Sequence, residues 1–224
     1  MNAVTGHNDP TTPTGAPNLV VMGVSGCGKS LIGTQLAAAL GFESLEGDAF
    51  HSAENIARMS AGIALTDENR AGWLANLSER LAQARAQGRH IVLSCSALKR
   101  RYRDVLRQGD PQLVFVYLHG ERAVIEARMA SRAHHFMPVT LLDSQFHDLE
   151  VPQADEDALT VNIEQSPEEI VNQVVTVKVR PDLAASMRTW SPWRTEPSRI
   201  LTASGSCTMR WMARLSGRAP YALS

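Results

Sequence analysis

The stretch Leu19-Val20-Val21-Met22-Gly23-Val24-Ser25-Gly26-Cys27-Gly28-Lys29-Ser30 decides the fold. Its last eight residues satisfy G-x-x-x-x-G-K-[ST] at every required position, and the four before them form an apolar run that reads as a strand. A strand entering such a loop and a helix leaving it separate a phosphate-binding loop from a chance match. Gly23, Gly26 and Gly28 can take backbone angles closed to other residues, so successive N–H groups can point into one concavity that a polyphosphate fits. The helix expected from about Lys29, with Leu31, Ile32, Leu36 and Leu40 on one face, adds free N–H groups and the positive end of its dipole. Gly23, Val24, Ser25, Gly26, Cys27, Gly28, Lys29 and Ser30 are therefore the candidate ATP-binding residues. Lys29 would reach the β/γ-phosphates and Ser30 would ligate Mg²⁺.

With 224 residues, 44% of them hydrophobic, the chain can bury one sizeable core, so one domain with appendages is expected. Charge is unevenly spread: residues 1–177 carry 14 basic and 21 acidic residues, and residues 178–224 carry 8 basic and 2 acidic ones. An acidic body argues against nucleic acid as the main partner, because phosphate contacts there need clustered Lys and Arg. Cys27, Cys95 and Cys207 form neither a disulfide framework nor a C-x-x-C metal site, which fits a reducing cytoplasm. No basic start with an apolar run opens the chain, and no stretch approaches the ~18 apolar residues of a membrane span, so neither secretion nor membrane insertion is expected.

Residues 1–17, rich in Thr, Pro, Asn and Gly, read as a disordered leader, and the fold is expected over 18–179. After the first helix, stopped by Gly41, a short second strand runs over 42–46 and delivers Asp48 to a strand's C-terminal edge, where ligands bind in open α/β sheets. Ser52 caps a short helix, and Thr66 to Asn69 cap a longer one reaching about Gln87. Further strands are expected at 90–95, 113–118 and 159–163, with helices over 98–107, 121–131, from Pro138 to about Leu149, and from Pro167 to about Val179. Five alternations of strand and helix argue a doubly wound parallel sheet with helices on both faces.

No guanine-selecting Asn-Lys-x-Asp tetrapeptide occurs, and the third strand closes on Ser94-Cys95-Ser96 instead of an acid. A phosphate loop with Asp48 after the second strand and an Arg-bearing irregular stretch after the fourth suggests a small-molecule kinase. There an Asp orients or deprotonates an acceptor hydroxyl while lid arginines meet the migrating phosphoryl group. Arg128 and Arg132, four apart on one helix face, suit the lid role. The pair His134-His135 lacks the spaced partners of a metal site. Trp73 reads as core, Cys27 as a loop-filling residue that a helix N-terminus could activate, and Arg100 and Arg101 as solvated surface.

Met22–Ser30, Glu46-Gly-Asp-Ala-Phe-His51, Asn55-Ile-Ala-Arg-Met59, Leu65-Thr-Asp67, Cys95-Ser-Ala-Leu-Lys-Arg-Arg-Tyr-Arg-Asp104, His135-Phe-Met-Pro138 and Leu141-Leu-Asp-Ser-Gln-Phe146 together resemble bacterial-type gluconokinases, over roughly residues 18–177. The resemblance implies a P-loop kinase fold, a five-stranded parallel sheet of order 2-3-1-4-5 with a lid segment. It implies phosphorylation of D-gluconate to 6-phosphogluconate with ATP and Mg²⁺, and a homodimer. It also implies that Lys29, Asp48, Arg128 and Arg132 serve catalysis, with Asp48, His51, Arg58, Lys99, Arg103 and His135 around the acceptor. A sugar acid offers one carboxylate for Arg or Lys and a row of hydroxyls for Asp and His. The chain departs from the family's usual residues at Ser52, Arg58, Asn69, Gly72, His134 and Asn162. Residues 180–224, with Trp190, Trp193 and Trp211 among basic residues, form an extension expected to be poorly ordered. Two alternatives stay open: a kinase for another sugar acid, polyol or shikimate-like acceptor, and a nucleotide-binding regulatory protein without turnover.

Overall fold

The computed structural model describes residues 16–131 and 140–179; the expected extension, and all but the last two residues of the expected leader, lie outside the described residues. Strands β1 (Leu19–Met22), β2 (Glu43–Glu46), β3 (Ile91–Ser94), β4 (Val114–His119) and β5 (Ala158–Asn162) form one parallel sheet of order β2-β3-β1-β4-β5, as expected. Around it lie α1 (Lys29–Leu40), α2 (Ala53–Ser60), α3 (Asp67–Ala86), α4 (Arg100–Gly109), α5 (Arg122–Ala130), α6 (Thr140–Asp148) and α7 (Pro167–Val174). Among the described residues no helix is long and apolar enough to cross a membrane.

Both faces of the sheet are covered because β1 is apolar at every position. Leu19 and Val21 join Ile32, Leu36, Val116, Ile170 and Val174 in the core under α1 and α7. Val20 and Met22 point the other way and join Trp73, Leu77, Leu81, Tyr102, Leu106 and Phe115 under α3 and α4. A polar pin crosses the sheet at the entrance to β1. The buried Asn18 accepts the Ile91 N–H on Oδ1 at 2.6 Å and donates from Nδ2 to Asp110 at 2.8 Å, while its own carbonyl accepts the Val114 N–H at 3.1 Å.

Helix ends follow the local chemistry. Gly41, in the left-handed region at φ 68, closes α1 with its N–H on the Ala37 carbonyl. The Ser52 side chain caps α2, and Thr66 with Asn69 forms a reciprocal capping box at α3, so Asn69 keeps the cap that an acid would supply. Several boundaries differ from expectation by one or two residues, and α7 differs by more. Helix α4 begins at Arg100, two residues late, because Ala97 sits at φ 42 and Lys99 is extended. Helix α7 ends at Val174, and residues Val175–Val179 continue it as a π-helix.

Candidate active site

The glycine loop leaves β1 and enters α1 through Gly28, whose φ of 103 is a left-handed conformation that side-chain-bearing residues rarely adopt. Helices α2, α3 and α7 have their first N–H groups capped by Ser52, Thr66 and Ser166, whereas α1 has no side-chain cap. Its first-turn N–H groups and dipole are left for an anion. The Lys29 ammonium folds back over the loop and donates to the Val24 carbonyl at 3.0 Å. Cys27 is buried inside the loop, and burial pushes its thiol up, against the opposing pull of Lys29; it fills space and is not an activated nucleophile.

The second wall is built where β2 ends. A Cβ on Gly47 would lie 2.7 Å from the Ser94 carbonyl oxygen, so only glycine lets the chain pass this close to β3. The buried Trp73 indole donates to the Gly47 carbonyl at 2.8 Å, which makes this core residue a support for the turn as well. The short 3₁₀ turn Gly47–Phe50 then presents Asp48 with 59% of its side chain exposed. His51 stacks on Trp73 at 4.2 Å with its Nε2 3.9 Å from Asp48. Burial lowers the His51 pKa, against the raising effect of Asp48, so the imidazole is neutral near pH 7 and leaves the Asp48 charge uncancelled. Its Nδ1 is buried without a hydrogen-bond partner among the described residues.

Glu46, which sequence reasoning passed over, joins the two walls. Its half-buried carboxylate lies in the field of both Lys29 and Asp48; burial raises its pKa, and the nearby Ser30 hydroxyl opposes the rise. Its position as the last residue of β2 was the available signal, hidden because Asp48 two residues later fits the same edge. Cys95, buried at the end of β3, has its thiol pushed up to about 12 by burial, with the Asp48 charge adding to the effect. Asp48, Glu46, Lys29 and Ser30 therefore share one edge of the sheet, as expected for the first, third and fourth of them.

The cations sort themselves differently from expectation. Lys99 sits between Asp67 at 3.3 Å and Asp148 at 3.1 Å, and Asp67 also accepts from Arg101 and the Tyr102 hydroxyl. Arg103 is corrected outright: it is 1% exposed and faces inward. Its Nε and Nη2 donate to Glu156 at 2.5 and 2.9 Å, and its Nη1 donates to the carbonyls of Ala97 and Leu98. A guanidinium committed in this way holds α4 to the segment before β5 and does not face an acceptor. Arg58 is half-buried and pairs with Glu54 one turn back on α2. Arg70, not singled out from the sequence, lies over the Tyr102 ring at 5.7 Å, donates to the Leu65 carbonyl at 3.4 Å and acts electrostatically on His51 and Cys95. Among the described residues it has no carboxylate partner within 4 Å. Its place in the first turn of α3, directly after the capping Asn69, was the signal for it. Arg128 donates to the Ile163 carbonyl at 2.8 Å and lies close enough to the glycine loop to act on Cys27. Arg132 and His135 lie outside the described residues.

Comparison with known proteins settles which kinase architecture this is. Residues 19–152 match a family model described as an AAA domain. The thermosensitive gluconokinase of Escherichia coli K12 is 45% identical over 157 residues, covering 70% of this chain and 84% of that protein. The chain belongs to the gluconokinase family. The crystal structure of a gluconokinase from Sinorhizobium meliloti 1021 superimposes with a TM-score of 0.68 at 44% identity, covering 78% of this chain and 98% of that one. An unliganded sugar kinase from Janibacter sp. HTCC2649 does so with a TM-score of 0.71 at 44% identity, covering 75% and 98%.

Proposed function

We infer that the chain transfers the γ-phosphoryl group of ATP to a hydroxyl of D-gluconate, giving 6-phospho-D-gluconate and ADP. The observation that carries this is the exposed Asp48 carboxylate, set on the same sheet edge as Lys29, Ser30 and the half-buried Glu46. The acceptor hydroxyl oxygen attacks the γ-phosphorus, the bond from that phosphorus to the ADP oxygen breaks with its electron pair leaving on ADP, and Asp48 orients the hydroxyl within reach of its proton. Lys29, the uncapped N-terminus of α1 and the lid arginines Arg128 and Arg132 offset the charge on the migrating group. The Ser30 hydroxyl and the Glu46 carboxylate are hard oxygen donors and suit Mg²⁺, which when bound neutralises the β/γ-phosphate oxygens. On the acceptor side His51 supplies a neutral hydrogen-bonding group. Arg70 supplies the positive charge for the gluconate carboxylate, because the charge of Lys99 is already met by two carboxylates. In this reading the enzyme acts in the cytoplasm as a homodimer, the assembly implied by the resemblance. A coupled ADP-release assay across gluconate, other sugar acids, shikimate and nucleoside monophosphates tests it. Turnover should depend on gluconate; preference for another acceptor, or ATP binding with no turnover on any of them, would refute it.

A further inference from the structure

The glycine loop is held from one side by the body of the sheet. The Gly23 N–H donates to the Ser96 carbonyl at 3.3 Å, and the Ser94 hydroxyl donates to the Lys29 carbonyl at 3.3 Å. From the other side a planar side-chain amide holds it. Gln145 Oε1 accepts the Ser25 main-chain N–H at 2.6 Å, and Gln145 Nε2 donates to Ser25 Oγ at 3.0 Å, across 120 residues of sequence. The two groups of the amide meet a donor and an acceptor of the same residue, a pairing that fixes both distance and orientation.

Gln145 does not hang from a loose arm. It projects from α6, where Leu142 is buried in the core, Asp143 pairs with Arg122 and Asp148 pairs with Lys99. Just beyond the helix the Glu150 N–H donates to the Leu98 carbonyl at 2.9 Å, and the Glu150 carboxylate accepts the Arg100 N–H at 2.6 Å. Residues 145 and 148 lie three apart, on one side of the helix. One helix face therefore touches the phosphate loop at Ser25 and, through Asp148, Lys99 at the entrance to α4.

A loop with glycines at φ 140, 82 and 103 has many alternative shapes, and only one set of them makes its N–H groups converge. Holding it in that set before ligand arrives removes an ordering cost from binding. We propose that Gln145 is a positioning residue for the reaction: from α6 it fixes the Ser25 main chain, and through it the shape in which the glycine loop receives the ATP phosphates. This rests on the reading of the loop as an ATP site.

The test is a double-mutant cycle on the full-length chain, with ATP and ADP binding followed by calorimetry and kinetics followed by ADP release. Gln145→Met keeps length and removes both hydrogen-bonding groups; it should raise the Kd for ATP and ADP about tenfold, leave the KM for gluconate unchanged and leave Tm unchanged. Ser25→Ala removes one of the two bonds and should weaken ATP by a smaller factor. The double variant should bind ATP no worse than Gln145→Met alone, because both substitutions remove the same contact. Unchanged ATP binding in Gln145→Met, equal losses for ATP and gluconate, or strictly multiplicative effects in the double variant would overturn the proposal. Should Gln145→Met melt lower, the coupling decides: a smaller effect of Ser25→Ala on the Kd for ATP in the Gln145→Met background than in wild type supports the proposal, and an equal effect in both overturns it. Failure of the wild-type chain to bind ATP would instead overturn the reading beneath it.

Discussion

Arg103→Met removes the guanidinium from a site where both partners are 1% exposed, and takes its bonds from the Glu156 carboxylate and the Ala97 and Leu98 carbonyls, of which Glu156 keeps the Gln153 N–H and Leu98 the Glu150 N–H. Breaking a buried pair from one side costs about 3–5 kcal/mol, because the remaining charge is stranded in a poorly solvated place. Arg107, whose Nη1 lies 3.7 Å from Glu156, still offers a positive charge and places the expected loss near the lower end. For a domain of this size each kcal/mol moves Tm by roughly 2–4 °C, so the variant should melt at least about 6 °C below wild type. The loss should also depend on pH. Burial works against the Glu156 charge, but the Arg103 hydrogen bonds and the Gln153 backbone bond outweigh it and hold the carboxyl below its usual range. A group whose pKa is lowered on folding stabilises above its unfolded pKa and loses that contribution as pH falls through the folded one. The gap between wild type and Arg103→Met should therefore be full near neutral pH and narrow below about pH 4, measured by urea unfolding across pH. At a temperature where the variant is folded, its KM for gluconate should match wild type. An unchanged Tm with a raised gluconate KM would refute the structural assignment and return Arg103 to the acceptor.

Asp48→Asn keeps size and loses basicity, so kcat should fall roughly 10²–10⁴-fold while the Kd for ATP stays within a factor of two or so; a collapse of ATP binding would move Asp48 to the metal instead. Arg70→Met should raise the KM for gluconate on the order of 10–100-fold, the equivalent of a charge-assisted hydrogen bond of about 1.5–3 kcal/mol. An equal rise in the KM for ATP would argue against its reading the carboxylate. Gly72 lies inside α3 with nothing within 4 Å of where a Cβ would sit. Gly72→Ala should thus stabilise by about 0.5–1 kcal/mol with unchanged kinetics, and a lower Tm would show that the position contacts something else.

What could be read from the chain beforehand was what depends on neighbours in sequence. The apolar run 19–22, the glycine spacing, the caps at Ser52 and Thr66 and the helix start at Pro167 act within one or two turns, and all lie where expected. Asp48 was legible because a strand end and a turn bracket it. Arg103 was misread because a charge run on a helix discloses only that some face is charged; its partner Glu156 stands 53 residues later, and only the packed fold shows which arginine turns inward. Gln145 was hidden for the same reason, and so was the second duty of Trp73, whose apolar ring satisfied the core reading and left its N–H unconsidered.

The Asn18 pin has a consequence for where chemistry happens. In a strand with alternating polar and apolar residues, a shift of one position would throw the wrong side chains into water, and that penalty fixes the pairing. Leu19, Val20, Val21 and Met22 carry no such penalty, since every one of them is at home on either face. What distinguishes one alignment from the next is the buried amide of Asn18, whose two bonds, to the Ile91 N–H and to Asp110, would both be broken by a slip. A slip of one residue would carry Gly23 about 3.3 Å along the sheet, more than the length of a hydrogen bond, away from Glu46 and Asp48 at the neighbouring strand's end. The alignment of donor and acceptor at one end of β1 is thus calibrated by a neutral side chain at the other end, which touches neither substrate.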